Sequence, residues 1–281
     1  LDRRHAAPAG RARGRRPRLR PLTLAANIGL TRSLNQGLAA ARGELIARQD
    51  ADDVSEPERL ARQIAFLDAH PGVALVGTAC IEIDAEGKEI GGWGPPEDDT
   101  AIRWQMLFHN AFIHTSVMVR RASLAAAGGR YDERYPCSQD MELWWRVLRH
   151  GEGANLPQPL VRFRRHGASV SSARWEEQQR IATALALERM RELAPELDER
   201  RAQMLRDCFN GIPRQAGRDA LRCCRLYFKL LAALERRPEN DRDALARIRR
   251  DLVRRLGRSA PKRRWGTLLA SGLPCTLVRQ W

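Results

Sequence analysis

Gly43-Glu44-Leu45-Ile46-Ala47-Arg48-Gln49-Asp50-Ala51-Asp52-Asp53 decides how this chain is read. Residues 44–49 read as a strand with Leu45 and Ile46 buried, and the strand runs straight into a turn carrying three carboxylates. Open α/β sheets bind ligands outside the carboxyl ends of their strands. Carboxylates at such an end suit a hard divalent cation, which takes one or two of them together with phosphate oxygens. A cation there would neutralise charge building on a departing diphosphate. Taken alone, the same residues equally describe a solvated turn leading into a capped helix.

The flanking sequence alternates strands and helices. Residues 22–25 fit a short strand. Leu30, Leu34 and Leu38 repeat at helical spacing, with Gly43 placed to end that helix. Beyond the turn, Ser55 and Glu58 form a capping box, and Leu60, Ile64 and Leu67 supply an apolar face. Strands follow at 73–76 and 79–83 around a break at Gly77, then a hairpin turn at 84–87 returning through 88–90. The pattern next predicts a helix at 101–108, a strand at 115–119, a helix at 121–127, another at 138–150 and a last strand at 160–165. From about 172 it becomes wholly helical, with stretches at 175–193, 199–209, 216–235 and 239–256. Alternating elements followed by helices imply a layered α/β domain with a helical tail.

Composition narrows the function. The 281 residues are 43% hydrophobic, enough for a sizeable core. No stretch of about 20 apolar residues predicts a membrane span. The uncharged run 265–278 is too short and carries Pro274; it reads as a packed C-terminal segment or one lying on a membrane surface. The six cysteines form no CxxC pair and read as free thiols of a reducing cytoplasm. The net charge of +15 comes almost wholly from arginine, and lysine occurs only at 88, 229 and 262. No recognition motif or interleaved aromatic accompanies that charge, so nucleic acid is not an expected partner. A basic surface does attract anionic lipid head groups and nucleotide-linked substrates.

Asn27-x-Gly29-Leu30-x-x-Ser33-Leu34-Asn35-x-Gly37-Leu38, then Ala41-Arg42-Gly43-Glu44-x-Ile46-Ala47, the acidic turn, and Pro57-x-Arg59-Leu60 with Gln63 form one ordered string. This string resembles the family 2 glycosyltransferases. His114-Thr115-Ser116-Val117-Met118-Val119-Arg120-Arg121 resembles that family's strand before the acceptor site. Gly128-Gly129-x-Tyr131-Asp132-Glu133 and Gln139-Asp140-x-Glu142-Leu143-Trp144 follow it in order. Arg162-x-Arg164-Arg165-His166-Gly167-x-Ser169-x-Ser171 resembles the segment closing the catalytic domain. The resemblance covers about 22–175.

What the resemblance implies is specific. The fold is α/β, a GT-A nucleotide-diphospho-sugar transferase-like layered fold with an α-helical C-terminal tail. It lacks the family's first strand-helix-strand unit, since only an arginine-rich stretch precedes Leu22. The implied organisation is a disordered segment at 1–20, a partial catalytic domain at 21–195 and a helical region at 196–281. The implied activity is metal-dependent transfer of a sugar, with inversion, from a nucleotide-diphosphate donor to a glycan, lipid-linked or other hydroxyl acceptor. It would take place in the cytoplasm or at the inner face of the membrane. Asp52 and Asp53 would hold Mg²⁺ or Mn²⁺. Asn27, Asn35, Asp50 and His166 would contact the donor, and the basic residues beside His166 would balance phosphate charge.

Asp140, at a helix start, would be the general base. Read alone, it is only an acid stabilising a helix dipole. Gln139 stands where the family usually has Glu, which eases ionisation of Asp140 by removing a like charge. His114 reads as structural. Trp144 reads as core, and Trp145 as core or a platform for a sugar. Two other functions fit the residues: an inactive remnant that keeps only a binding role, and a basic protein that binds nucleic acid or a membrane surface.

Overall fold

The computed structural model describes residues 19–165, 174–210, 218–237 and 240–259. His166, the arginine-rich residues up to 18 and the uncharged run 265–278 lie outside them. In chain order the described elements are α1 (Leu30–Ala40), β1 (Leu45–Ala47), β2 (Val54–Ser55), α2 (Arg59–Ala69), β3 (Val73–Ile83), β4 (Glu89–Trp93) and α3 (Asp99–Met106). β5 (Met118–Arg120), α4 (Arg121–Ala126), α5 (Gln139–Val147) and β6 (Glu152–Arg164) follow. Four helices complete the series: α6 (Trp175–Leu193), α7 (Glu199–Phe209), α8 (Arg218–Glu235) and α9 (Arg242–Ser259).

One mixed sheet carries the fold, in the order β1-β5-β3-β6-β2, with β4 pairing β3 as well. β3 is its centre and is buried along nearly its whole length. β6 runs parallel to it, whereas β4 and β5 pair with it antiparallel. β1 is antiparallel to β5, with Ile46 opposite Val119. This pairing aims the residues after β1 at one end of the sheet. β3, α3, α5 and α6 close one core around Leu75, Ile102, Phe112 and Trp144, while α2 covers the other face through Leu67.

Several local expectations differ from the structure. Residues 22–25 form a loop, with Leu22 exposed, rather than a strand. α1 ends at Ala41 in extended backbone, so Gly43 is not its cap. A Cβ at Gly43 would sit 2.9 Å from the Leu45 carbonyl oxygen, and this is what requires glycine there. The capping box does not form: Ser55 lies in β2, and α2 starts four residues later without a side-chain cap. The buried stripe of α2 is Arg59, Gln63 and Leu67, while Leu60 and Ile64 are exposed. Gly77 does not break β3. It leaves room for the Asn155 side chain, which a Cβ would strike. β6 begins eight residues earlier than the sequence suggests, because Pro157 and Pro159 hide a strand that shifts register around them. Residues 114–116 form a 3₁₀ turn before β5.

The hairpin turn at 84–87 forms as expected. Asp84 Oδ1 accepts the Glu86 and Lys88 N–H groups, and Gly87 has φ +92°. α6 has the predicted bounds, and α7–α9 follow the predicted order.

The helical region shares a core with α3 and the residues after it. Trp104, Leu107 and Phe108 pack with Met190, Leu205, Tyr227 and Leu231. Two buried arginines tie the junction through carbonyl oxygens. Arg189 donates to Met106 O at 2.8 Å and Met141 O at 2.6 Å, and its guanidinium lies 5.0 Å from the Trp145 ring. Arg206 donates to Phe108 O at 2.8 Å.

His109 stands edge-on to Phe209 beside these cations. Burial, then Arg206 and Arg189, push its pKa down to about 4. The unfolded chain therefore takes up a proton near pH 6.5 that the folded chain refuses, so stability falls as pH drops from there towards 4. In urea unfolding, His109→Gln should remove that loss. Relative to the variant, the wild type should lose roughly 1–3 kcal/mol between pH 7 and pH 4.5. Parallel pH curves would contradict the buried neutral imidazole.

Candidate active site

The turn after β1 is built by hydrogen bonds that reach in from three sides. Arg48 N–H continues the ladder to Val117 O at 2.9 Å. Asp50 N–H donates to Thr115 Oγ1 at 2.9 Å. From β6, Arg164 N–H donates to Asp53 Oδ1 at 2.7 Å and its Nε to Asp52 O at 2.8 Å. Beneath the turn lies Arg59, 1% exposed. Its guanidinium donates to Arg48 O at 2.6 Å, Gln49 Oε1 at 2.7 Å, Ser55 Oγ at 2.8 Å, Gln63 Oε1 at 3.1 Å and Val117 O at 3.3 Å. No carboxylate is among these partners. Burial, then Arg48, push its pKa down to about 10, so it remains charged at neutral pH.

Asp53 is a half-buried acid of the turn. Burial raises its pKa and Asp50 and Asp52 add to the rise, against the Arg164 N–H and the Thr115 hydroxyl. Its Oδ2 is buried with no hydrogen-bond partner among the described residues. An orphaned carboxylate oxygen beside two more acids fits a cation better than it fits a folding role. Among the described residues, no group of three or more His, Cys, Asp and Glu is arranged to hold a metal. A cation bound at this turn would have to take part of its coordination from elsewhere, as from substrate oxygens.

Asp140 stands in the first turn of α5, 90 residues along the chain from Asp50. Ser138, just before this helix, is the one non-glycine residue with positive φ among the described residues, at +56°. Backbone held in that region costs energy and is retained where surrounding packing over-determines it. Burial raises the Asp140 pKa; the N–H groups of Met141 and of Asp140 itself, and the Arg48 charge, lower it, and Asp50 raises it. Asn110 Nδ2 donates to Asp140 Oδ2 at 2.7 Å.

Arg48 links the two ends of the site. It is ion-paired with Asp50, and its side chain is 9% exposed. Its field also reaches Asp140, Tyr131 and His114. His114 Nε2 and the Tyr131 hydroxyl are 2.9 Å apart, with Trp144 edge-on to both rings. Burial holds His114 well below the usual imidazole range and Tyr131 well above the usual phenol range, so both stay neutral. A cavity of about 330 Å³ adjoins, lined by Leu34, Leu38, Ile46, Arg48, Tyr131 and Trp144 among others.

The sequence-predicted residues thus divide. Asp50, Asp52 and Asp53 share one turn, and Asp140 comes within electrostatic range of Asp50. Asn35 spends its amide on Tyr131, accepting its N–H at 2.9 Å and donating to its carbonyl oxygen at 3.0 Å. Asn27 Oδ1 accepts the Gly29 N–H at 3.0 Å and shapes the turn into α1. The basic residues expected to balance phosphate face protein groups instead. Arg162 pairs with Glu56 and Glu89, Arg165 with Glu82, and Arg164 binds carbonyl oxygens. Trp144 is core, as its spacing implies. Arg48 and Asn110 were missed. Arg48 sits in the strand string without standing out, and Asn110 belongs to no motif.

The family model "Glycosyl transferase family 2" matches residues 4–127. That stretch is similar to glycosyltransferase family 2. The match begins within the arginine-rich segment and stops short of Asp140. The amylovoran biosynthesis glycosyltransferase AmsE of Erwinia amylovora is 34% identical over 149 residues, 53% of this chain and 55% of that protein. A glycosyltransferase of Haemophilus influenzae is 31% identical over 171 residues, 58% of this chain and 53% of its own. The chain spans about half the length of these curated relatives. Among solved structures, the mannosyltransferase PcManGT of Pyrobaculum calidifontis, in complex with GDP-Man and Mn²⁺, overlays 94% of this chain and 71% of its own. The identity is 16% and the TM-score 0.43, too distant a likeness to carry an argument about the site.

Arg59→Met should remove the donors that hold the turn and leave several buried acceptors unpaired. Thermal or urea unfolding should show a loss of about 2–4 kcal/mol, and Arg59→Lys should not restore it, because one ammonium cannot serve a five-bond fork. Wild-type stability in Arg59→Met would contradict this account of the turn.

Proposed function

We propose that this chain is a glycosyltransferase that moves a sugar from a nucleoside-diphosphate donor to a hydroxyl of a glycan or lipid-linked acceptor, inverting the anomeric centre. The observation that carries the proposal is that Asp140, in the first turn of α5, lies within the electrostatic reach of the ion-paired Arg48 and Asp50. Asp140 is a partly buried carboxylate, and the acidic turn whose field it shares lies within the stretch that matches the glycosyltransferase model. The relative AmsE, an amylovoran biosynthesis glycosyltransferase, supports polysaccharide assembly as the setting. Among the described residues no helix is long and apolar enough to cross a membrane.

In this reading Asp140 accepts the proton of the acceptor hydroxyl. The hydroxyl oxygen forms its bond to the anomeric carbon, and the bond from that carbon to the phosphate oxygen breaks, its electron pair leaving with the nucleoside diphosphate. Displacement from the opposite face inverts the centre. Burial keeps the Asp140 pKa above the usual carboxylate value, which makes it a better base than a solvated aspartate. The Met141 N–H and Arg48 keep it ionised enough to act. Asp50, fixed by Thr115 and Arg48, faces the donor's ribose or diphosphate. Asp53 and Asp52 would hold a divalent cation, which when bound supplies charge neutralisation at the leaving diphosphate. Asn35 contributes indirectly, by fixing the Tyr131 backbone.

Asp140→Asn separates chemistry from binding. Sugar transfer, followed as released nucleoside diphosphate, should fall by roughly 10²–10⁴-fold while nucleotide affinity is unchanged. Turnover within a few-fold of wild type would remove Asp140 from the role of base.

A further inference from the structure

The segment after α3, residues 108–112, is fixed at nearly every residue. Phe108 O accepts Arg206 Nε at 2.8 Å, and Asn110 O accepts Gln105 Nε2 at 3.3 Å. Ala111 O accepts Asn155 Nδ2 at 3.1 Å, and Ala111 N–H donates to Met106 Sδ at 3.2 Å. On the other side of the contact, Arg189 holds Met141 O and Met106 O together, so the start of α5 and the end of α3 are tied by one buried guanidinium.

Within this frame the Asn110 amide has one orientation. Its Oδ1 accepts the Phe112 N–H at 3.1 Å, which turns its NH₂ towards Asp140 Oδ2 at 2.7 Å. An amide NH₂ only donates, so Asp140 Oδ2 must accept, and that oxygen carries no proton while the contact lasts. Resting on the reading of Asp140 as base, we propose that Asn110 is its positioning residue, occupying Oδ2 and presenting Oδ1 to the acceptor hydroxyl.

The other groups facing Asp140 are accounted for. Arg48 and Asp50 act on it from the end of β1 with opposite signs. Tyr131 is neutral, Cys137 is a free thiol with a raised pKa, and Arg189 lies behind the helix with Glu142, Glu188 and Glu192 in its own field. Among the described residues, Asn110 is the neutral side-chain donor to Asp140 that can be replaced without altering the charge around it.

Two substitutions test the role. Asn110→Ala removes the donor. Asn110→Asp keeps an acceptor for the Phe112 N–H, and so keeps the local turn, but sets a like charge against Asp140. The readouts are the acid limb of the pH profile of kcat/KM and the carboxyl titration of Asp140 by ¹³C NMR; the second needs no turnover. A hydrogen bond to a charged group of ordinary strength predicts that Asn110→Ala moves the Asp140 titration up by about one unit. Asn110→Asp should move it at least as far, through like-charge repulsion. A donor that merely stabilises the fold would leave both pH readouts where they are in wild type. An unmoved Asp140 titration in both variants would overturn the proposal. If Asp140→Asn keeps its turnover, the assignment of the base fails instead, whatever the titration shows.

Discussion

A buried guanidinium without a carboxylate partner organises the acidic end of this sheet. Arg59 is drawn into the interior by the geometry of α2, which places Arg59, Gln63 and Leu67 on one inward face. Burying that charge is costly unless every donor finds an acceptor. Here the acceptors are two backbone carbonyls and three side chains, all belonging to the elements around the acidic turn. Satisfying Arg59 therefore fixes the relative position of β1, β5, β2 and α2. The turn at Asp50–Asp53 is held on both flanks by this one buried cation, through Arg48 and Gln49 before it and Ser55 after it.

The same economy governs the polar cluster above. Arg48 is shared among Asp50, Asp140, His114 and Tyr131, so one positive charge sets the field for a whole pocket. Holding His114 and Tyr131 neutral leaves the carboxylates as the groups whose charge can respond to a ligand. Asp53, with one oxygen paired to the Arg164 N–H and the other buried without a partner among the described residues, is the acid with most to gain from a cation. The helical region takes part through Arg189, which anchors the first turn of α5 to the end of α3.

The parts of this arrangement visible in the sequence are those that local pattern encodes. The acidic turn, the helix at 30–40, the hairpin at 84–87 and the amphipathic helices from 175 onward follow from spacing within a few residues. Apolar periodicity misled where polar groups are buried. Leu60 and Ile64 look like the core face of α2 but are exposed, because Arg59 and Gln63 take the interior in exchange for hydrogen bonds. Gly77 looks like a break, yet it sits mid-strand to admit Asn155. Pro157 and Pro159 conceal half of β6, since a strand that tolerates proline does so through register shifts no local pattern announces. Asn110 was invisible because its meaning lies in a contact 30 residues away.

The most direct test of the account is calorimetric titration of the chain with UDP, and with GDP for comparison, in the presence and absence of Mn²⁺, repeated on Asp53→Asn. The account predicts that one nucleotide binds only when Mn²⁺ is present and that Asp53→Asn abolishes this dependence in a folded protein. Absence of metal-dependent binding by the folded wild-type chain, or unchanged binding in the variant, would contradict it.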